Sequence, residues 1–368
     1  MKIDKVELKK ILLPFKKPFE TSGWIQNGNY SVIVKLFSEG KVGWGESPVN
    51  NFPYYVEETV STVWNTQKDF LIPLLLENRL NHPSGIEKLF SKIRLNNFAK
   101  AGIEFAFWDL YGKLQHKSLS EMIGGKRKKI PVGVSVGVID DLGSLMAQVN
   151  DFVSQGYQRI KIKIKPGWDV VPLKKIRREF GNIMLQVDAN GSYQIKDINK
   201  LQKLDEFKLL MIEQPFAADN FLDHAALQKK IKTKVCLDES IVSVEDAKIA
   251  KNLNVCKIIN IKPARTGGLT EAKRIHDFSK KNNIPVWCGG MLETGIGRAV
   301  NLALASLPNF KLPSDISASS RYFIKDIIYN SFELNKDSTI NVPDAPGLGI
   351  EVDEDYLERV TLEKLEIK

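Results

Sequence analysis

RIKIKIKPG, residues 159–167, sets Lys161, Lys163 and Lys165 at alternate positions of an otherwise aliphatic run. Alternation at period two reads as a β-strand whose three lysines share one face. Two settings suit such a strand. It is either an edge that turns its amines to water, or part of a sheet whose polar face looks into a site that needs positive charge.

The surrounding chain favours the second. From Pro131 onward come eight short apolar runs: PVGVSVG, RIKIKIK, IMLQVDA, LLMIEQP, KVCLDES, VCKIINIKP, PVWCGG and a weaker FKLPSDI. Amphipathic stretches such as WDVVPLKKIRREFG and DHAALQKKIK lie between most of them. Strands alternating with helices at this pitch predict a parallel sheet, and eight units predict a closed (β/α)8 TIM-type barrel. Lys163, Asp188, Glu213, Asp238 and Lys262 stand 25, 25, 25 and 24 residues apart, each at or just before the end of a predicted strand. In a barrel those ends open on one mouth, where catalytic groups gather. An open doubly wound sheet is the rival. It would scatter the five positions along a crevice, and the chain lacks a GxGxxG after its first strand.

Upstream the texture is α+β. KIDKVELKKILL reads as a strand, YSVIVKLFSEGKVGWGES as a hairpin turning near Glu39-Gly40, and VEETVSTVWNTQKDFLIPLL and NNFAKAGIEFAFWDLYGKLQ as helices. The expected organisation is a capping domain over residues 1–125, a barrel over 126–329 and a tail over 330–368 that packs back on the cap. Residues 18–29, with Phe19, Trp24, Gly23 and Gly28, are expected to form a mobile lid that excludes water.

Composition narrows the function classes. The 368 residues are 43% apolar and 26% charged, with a net charge of +9, which favours an anionic substrate. The N-terminal stretch MKIDKVELKKILLPFKK is interrupted by charges and no run is long enough to span a bilayer, so a cytoplasmic location and no membrane partner are expected. The densest basic run, KRKK at 126–129, adjoins the Gly124-Gly125 turn and lacks stacking aromatics, so no nucleic-acid partner is expected. Cys236, Cys256 and Cys288 are odd in number and lack CxxC spacing, which suits buried thiols. The four histidines have no metal-ligand spacing and read as structural.

Asp188, Glu213 and Asp238 would reach one small region from three consecutive strands. Crowded carboxylates repel unless a cation neutralises them. Oxygen ligands without histidine or thiolate select a hard ion, Mg2+ first and Mn2+ as a substitute. Lys163 and Lys262, one strand to either side, would flank whatever the ion holds. The chemistry that fits is removal of a proton beside a bound carboxylate, with the resulting enediolate stabilised by the cation and the ammonium groups. Lys161 then binds a carboxylate oxygen and helps keep its neighbour neutral, while Lys165 falls at or beyond the rim.

These residues stand in motifs that resemble the enolase superfamily, in its muconate-lactonising subgroup, and there the o-succinylbenzoate synthases and N-succinylamino acid racemases. The motifs are GWGES (43–47), KIKIKPGWD (161–169), QVDAN (186–190), IEQP (212–215), CLDES (236–240), NIKPARTGG (260–268) and WCGGMLETGIGR (287–298). The resemblance implies Lys163 as the base, Lys161 as its partner, Lys262 as the opposite lysine, and Asp188, Glu213 and Asp238 as Mg2+ ligands. It also implies that Ser135, Gly290 and Met291 lie near the substrate and that Asn190 supports the first metal ligand. Glu293 would have a supporting role. SPVNNFP after GWGE, and Lys165, depart from the pattern where substrate preference is set.

The implied activity is Mg2+-dependent dehydration of 2-succinyl-6-hydroxy-2,4-cyclohexadiene-1-carboxylate in menaquinone biosynthesis. Racemisation of N-succinylamino or N-acylamino acids is the alternative, and one protein can carry both. Muconate-type cycloisomerisation and dipeptide epimerisation need a different pocket beyond the metal. A non-catalytic scaffold would be expected to lack part of the trio or a lysine, and none is lacking. The expected partner is a small carboxylate, with a homo-oligomer left open.

Overall fold

The computed structural model describes every residue from Met1 to Lys368 except Ser22 and Asp140. The N-terminal apolar runs form β1 (Lys5–Glu20), β2 (Ile25–Ser38) and β3 (Lys41–Pro48), paired antiparallel in that order. Glu39 and Gly40 both have positive φ, 52° and 70°, as a two-residue hairpin turn requires. The helix Asn97–Gln115 lies directly on β3. A Cβ at Gly43 would stand 2.2 Å from the Ala106 carbonyl oxygen, and one at Gly45 2.0 Å from that of Gly102. The alternate glycines of GWGES are therefore the positions where helix and strand backbones meet.

Two expectations for this region need correction. Residues 18–29 are not a loop: β1 and β2 resume pairing beyond a register shift, with Phe19 opposite Gln26 and Glu20 opposite Ile25. The segment is the far end of a two-stranded ribbon turning through residues 21–24, of which Ser22 lies outside the described residues. Gly28 is a packing position, since a Cβ there would meet Leu12 Cδ1 at 2.7 Å and the Leu13 carbonyl oxygen at 2.8 Å. The helix expected over residues 56–75 is also broken, into α-helices Val60–Thr66 and Ile72–Glu77 around a π-turn at Gln67–Leu71. Pro73 has no N–H to donate back to Asp69, and a widened turn precedes it.

β4 (Lys129–Pro131) leads into β5 (Gly133–Val136), β6 (Arg159–Lys163), β7 (Met184–Asp188), β8 (Ile212–Glu213), β9 (Val235–Leu237), β10 (Ile258–Ile261) and β11 (Val286–Cys288). From β5 to β11 each strand pairs in parallel with the next. The eighth run is not a regular strand. Phe310 bridges Val286, Ser314 bridges Val132, the Asp315 N–H donates to the Cys288 carbonyl at 2.7 Å, and the Gly133 N–H donates to that of Ser314 at 2.8 Å. These contacts close the ring although Pro313 can donate nothing to a ladder. All five residues of β6 are buried, so the lysine strand is no edge.

The cap is fastened to the barrel by buried carboxylates at helix starts. Glu104 accepts from the backbone N–H groups of Leu269 (2.6 Å) and Thr270 (3.0 Å) at the head of helix Leu269–Lys281. Glu46 accepts from the N–H groups of Thr294 (3.1 Å) and Gly297 (2.9 Å) at the head of helix Gly295–Ala305. Farther on, β12 (Thr339–Asn341) pairs with β4, and β13 (Thr361–Ile367) pairs antiparallel with β1 as the outer strand of the cap sheet. Among the described residues no helix is long and apolar enough to cross a membrane.

Candidate active site

Strand register builds the site in two levels. Ser135, Lys161 and Gln186 are neighbours across β5, β6 and β7, and one level higher Lys163, Asp188 and Glu213 are neighbours across β6, β7 and β8. Asp238 and Lys262 follow immediately on β9 and β10. The lysine-bearing strands β6 and β10 thus flank the three acid-bearing strands.

The ion pairs are dense. Lys161 Nζ lies 2.9 Å from Asp188 Oδ2, 2.8 Å from Glu213 Oε2 and 3.7 Å from Asp315 Oδ2. Lys163 Nζ donates to Asp188 Oδ2 and to Asn190 Oδ1, each at 2.7 Å. Lys262 Nζ lies 3.0 Å from Asp238 Oδ2 and donates to the Tyr55 hydroxyl at 2.9 Å. Arg265 Nη1 holds the other Asp238 oxygen and also donates to Tyr55 at 3.1 Å. The Asn260 amide donates to Glu213 Oε1 at 2.8 Å.

Burial opposes every one of these charges, and the partners decide the outcome. It works against the Asp188 carboxylate, but Lys161 and Lys163 hold Asp188 below the usual range. Asp238 is likewise held down by Arg265 and Lys262. Glu213, buried beside the charge of Asp188, is pushed up to about 8. The ammonium of Lys262 is penalised by burial, yet Asp238 raises its pKa overall. Burial and the Asp238 charge push the Tyr55 hydroxyl up to about 12.

Above this cluster is a partly open cleft. Phe19, Trp24, Ser135, Lys161, Lys163, Asn190, Lys262, Gly290 and Met291, the residues marked from the sequence as catalytic or substrate-binding, all line it. Ser135 Oγ donates to Asp315 Oδ2 at 2.6 Å, and the Asn190 N–H donates to Asp188 Oδ1 at 3.0 Å. Glu293 accepts from the Asn301 amide at 2.9 Å and also faces the cleft. Lys165 lies past the end of β6 in a bridge with Trp168. The three cysteines are buried and unpaired with one another. His224 and His276 accept backbone N–H groups in the core, from Phe216 and Asn309.

Three participants escaped the sequence reading: Tyr55, Arg265 and Asp315. Asp315 lies near the end of the eighth run, FKLPSDI, and so obeys the strand-end rule. Arg265 lies inside the KPARTGG loop. Nothing in the spacing marks Tyr55, which the cap delivers.

Asp188, Glu213 and Asp238 are fully buried but do not form the cleft wall. Among the described residues no three acid, histidine or cysteine side chains already stand as a ligand cluster; ammonium and guanidinium groups balance the acids instead. The donor set nevertheless fits a hard divalent ion. It is all carboxylate oxygen, and Asp238 Oδ2 is enclosed with no well-formed hydrogen bond.

Residues 5–124 match the mandelate racemase/muconate lactonizing enzyme N-terminal domain, and residues 144–356 match the enolase C-terminal domain-like family. The chain belongs to the enolase superfamily, in its mandelate racemase/muconate lactonizing branch. It is 48% identical to the o-succinylbenzoate synthase of Geobacillus kaustophilus over 360 residues, 98% of this chain and 96% of that one. To the N-succinylamino acid racemase of Thermus thermophilus it is 41% identical over 362 residues, 98% of each chain. A solved enolase-superfamily protein from Listeria innocua is similar at a TM-score of 0.96 and 42% identity, covering 100% of this chain and 99% of that one.

Proposed function

We propose that the chain is an o-succinylbenzoate synthase that dehydrates 2-succinyl-6-hydroxy-2,4-cyclohexadiene-1-carboxylate in menaquinone biosynthesis. The observation that carries this reading is the 48% identity to an o-succinylbenzoate synthase over 98% of this chain, joined to a pair of lysines on β6 and β10 that flank three buried acids and line one cleft. Enzymes of this family work with a divalent metal, and Asp188, Glu213 and Asp238 would hold it here, with Mg2+ preferred and Mn2+ accepted. When bound, the ion supplies positive charge that makes the proton beside the substrate carboxylate more acidic.

The rest falls to side chains. Lys163 takes the proton from the carbon bearing the carboxylate, and the electron pair moves into the carboxylate as an enediolate. That pair returns to form the new ring double bond as the hydroxyl leaves the adjacent carbon, and with the proton it departs as water. Lys262, held by Asp238 and Tyr55, keeps an ammonium beside the developing charge. Lys161 and Ser135 orient the anion, and the ribbon end with Phe19 and Trp24 shields the cleft from water.

Incubation of the purified chain with this substrate, followed by NMR, tests the reading. Aromatic 2-succinylbenzoate should form with Mg2+ or Mn2+ and should not form after exhaustive chelation. Full turnover without metal would remove the three-ligand assignment. A second reading, N-succinylamino acid racemisation by the same residues, is favoured by a lysine on each flanking strand. It would appear as deuterium exchange at the α-carbon of N-succinylamino acids in D2O.

A further inference from the structure

Three arginines are almost wholly enclosed. Arg159 pairs with Asp315 and Arg265 with Asp238. The third, Arg298, is 2% exposed and joined to no carboxylate among the described residues. Its Nη1 donates to the Ser317 carbonyl, while Nε and Nη2 are enclosed with no hydrogen-bond partner. It projects from the first turn of helix Gly295–Ala305 and lines the cleft that holds Lys161, Lys163 and Lys262. The Tyr322 ring, centred 5.7 Å from its guanidinium carbon, flanks it.

A buried cation with two unused donors is costly to maintain unless an anion arrives. A guanidinium edge offers parallel N–H groups that match the two oxygens of a carboxylate. The three lysines of the cleft are each engaged by an acid of the protein, and Arg298 is not. We propose that Arg298 receives the carboxylate at the free end of the substrate's acyl arm, and so makes the site select a succinyl arm over an uncharged one of the same length. This rests on the function proposed above, which supplies a substrate with two carboxylates, and it adds the residue that reads the second.

Binding and turnover are best measured separately. The metal-loaded full chain is titrated by calorimetry with 2-succinylbenzoate and with 2-butyrylbenzoate, which has the same acyl length without the terminal carboxylate. The wild type should prefer the succinyl compound by about 10- to 100-fold, the range expected of a charge-assisted pair. Arg298→Met should bind the butyryl compound nearly as the wild type does and lose the preference. Arg298→Lys, with the charge but not the fork, should retain part of it. Equal affinities in the wild type, or an undiminished preference in Arg298→Met, overturns the proposal. Should Arg298→Met not fold, a crystal structure of the wild type with 2-succinylbenzoate decides. An arm carboxylate on Nε and Nη2 sustains the proposal, and one held only by other groups defeats it. A wild type that shows the preference but performs no dehydration would remove the synthase reading and leave the arginine contact standing.

Discussion

Buried carboxylates occur in two regions of this molecule, and their partners differ in kind. At the barrel mouth Asp188, Glu213 and Asp238 are met by side-chain cations, Lys161, Lys163, Lys262 and Arg265. In the cap and its seam with the barrel, Glu46, Glu58 and Glu104 are met mainly by backbone N–H groups at helix starts. A side-chain ammonium can swing aside and let an ion or a substrate take its place. A backbone amide cannot leave without unwinding its helix. The same buried carboxyl group therefore serves exchange in one region and fastening in the other.

Substitutions at the mouth should break chemistry and leave the fold, and the largest effects belong to the lysines. Lys163→Ala and Lys262→Ala should each lose about 100- to 10,000-fold or more in proton transfer. Lys163→Arg and Lys262→Arg should each keep slow exchange from D2O on the enantiomer of an N-succinylamino acid that faces the surviving lysine, as read by NMR. If both variants lose the same enantiomer, the lysines share a face. Next in size, Asp238→Asn should weaken Mg2+ binding in calorimetry by at least the roughly 10- to 100-fold that loss of a residue merely orienting a ligand costs. Unchanged affinity would exclude Asp238 as a ligand. Exchanging residues 18–29 for a relative's ribbon end should shift kcat/KM ratios among substrates severalfold and leave metal affinity alone. Uniform effects on all substrates would count against a selective role.

At the seam the expectation reverses, with small effects confined to stability. Glu104→Gln should cost about 1–2 kcal/mol of a helix cap in denaturant unfolding without altering kcat/KM. Burial pushes Glu46 and Glu58 up to about 7 from an ordinary value of 4.5. The folded chain thus holds protons that the unfolded chain has released, and stability from these groups falls as pH rises from about 4.5 to 7. Glu46→Gln should flatten part of that slope in Tm measured against pH. An unchanged slope would show that Glu46 does not titrate in this window.

The regular part of this architecture was open to sequence reading because a βα unit repeats. Five strand-end residues at spacings of 25, 25, 25 and 24 announce one mouth, and register places them there. Irregular parts give no such signal. The eighth run is held by single bridges around Pro313. The ribbon end at residues 18–29 resembles a loop because its aromatics and glycines obscure a ladder that resumes after a shift. Tyr55 and Arg298 come from segments whose approach to the cleft depends on how the cap and the last helix of the repeat pack, which no local pattern encodes.

The outer strand of the cap has a consequence for how the molecule is made. β13 lies against β1, and the ion pair between Lys10 and Glu363 joins residues 353 positions apart. A ribosome releases Lys10, in β1, 353 residues before its partner Glu363 in β13. Throughout that interval one side of β1 presents unpaired amides and carbonyls to whatever chain is nearby. Completion of the cap sheet therefore depends on a non-local pairing, the kind of contact that costs most chain entropy to close.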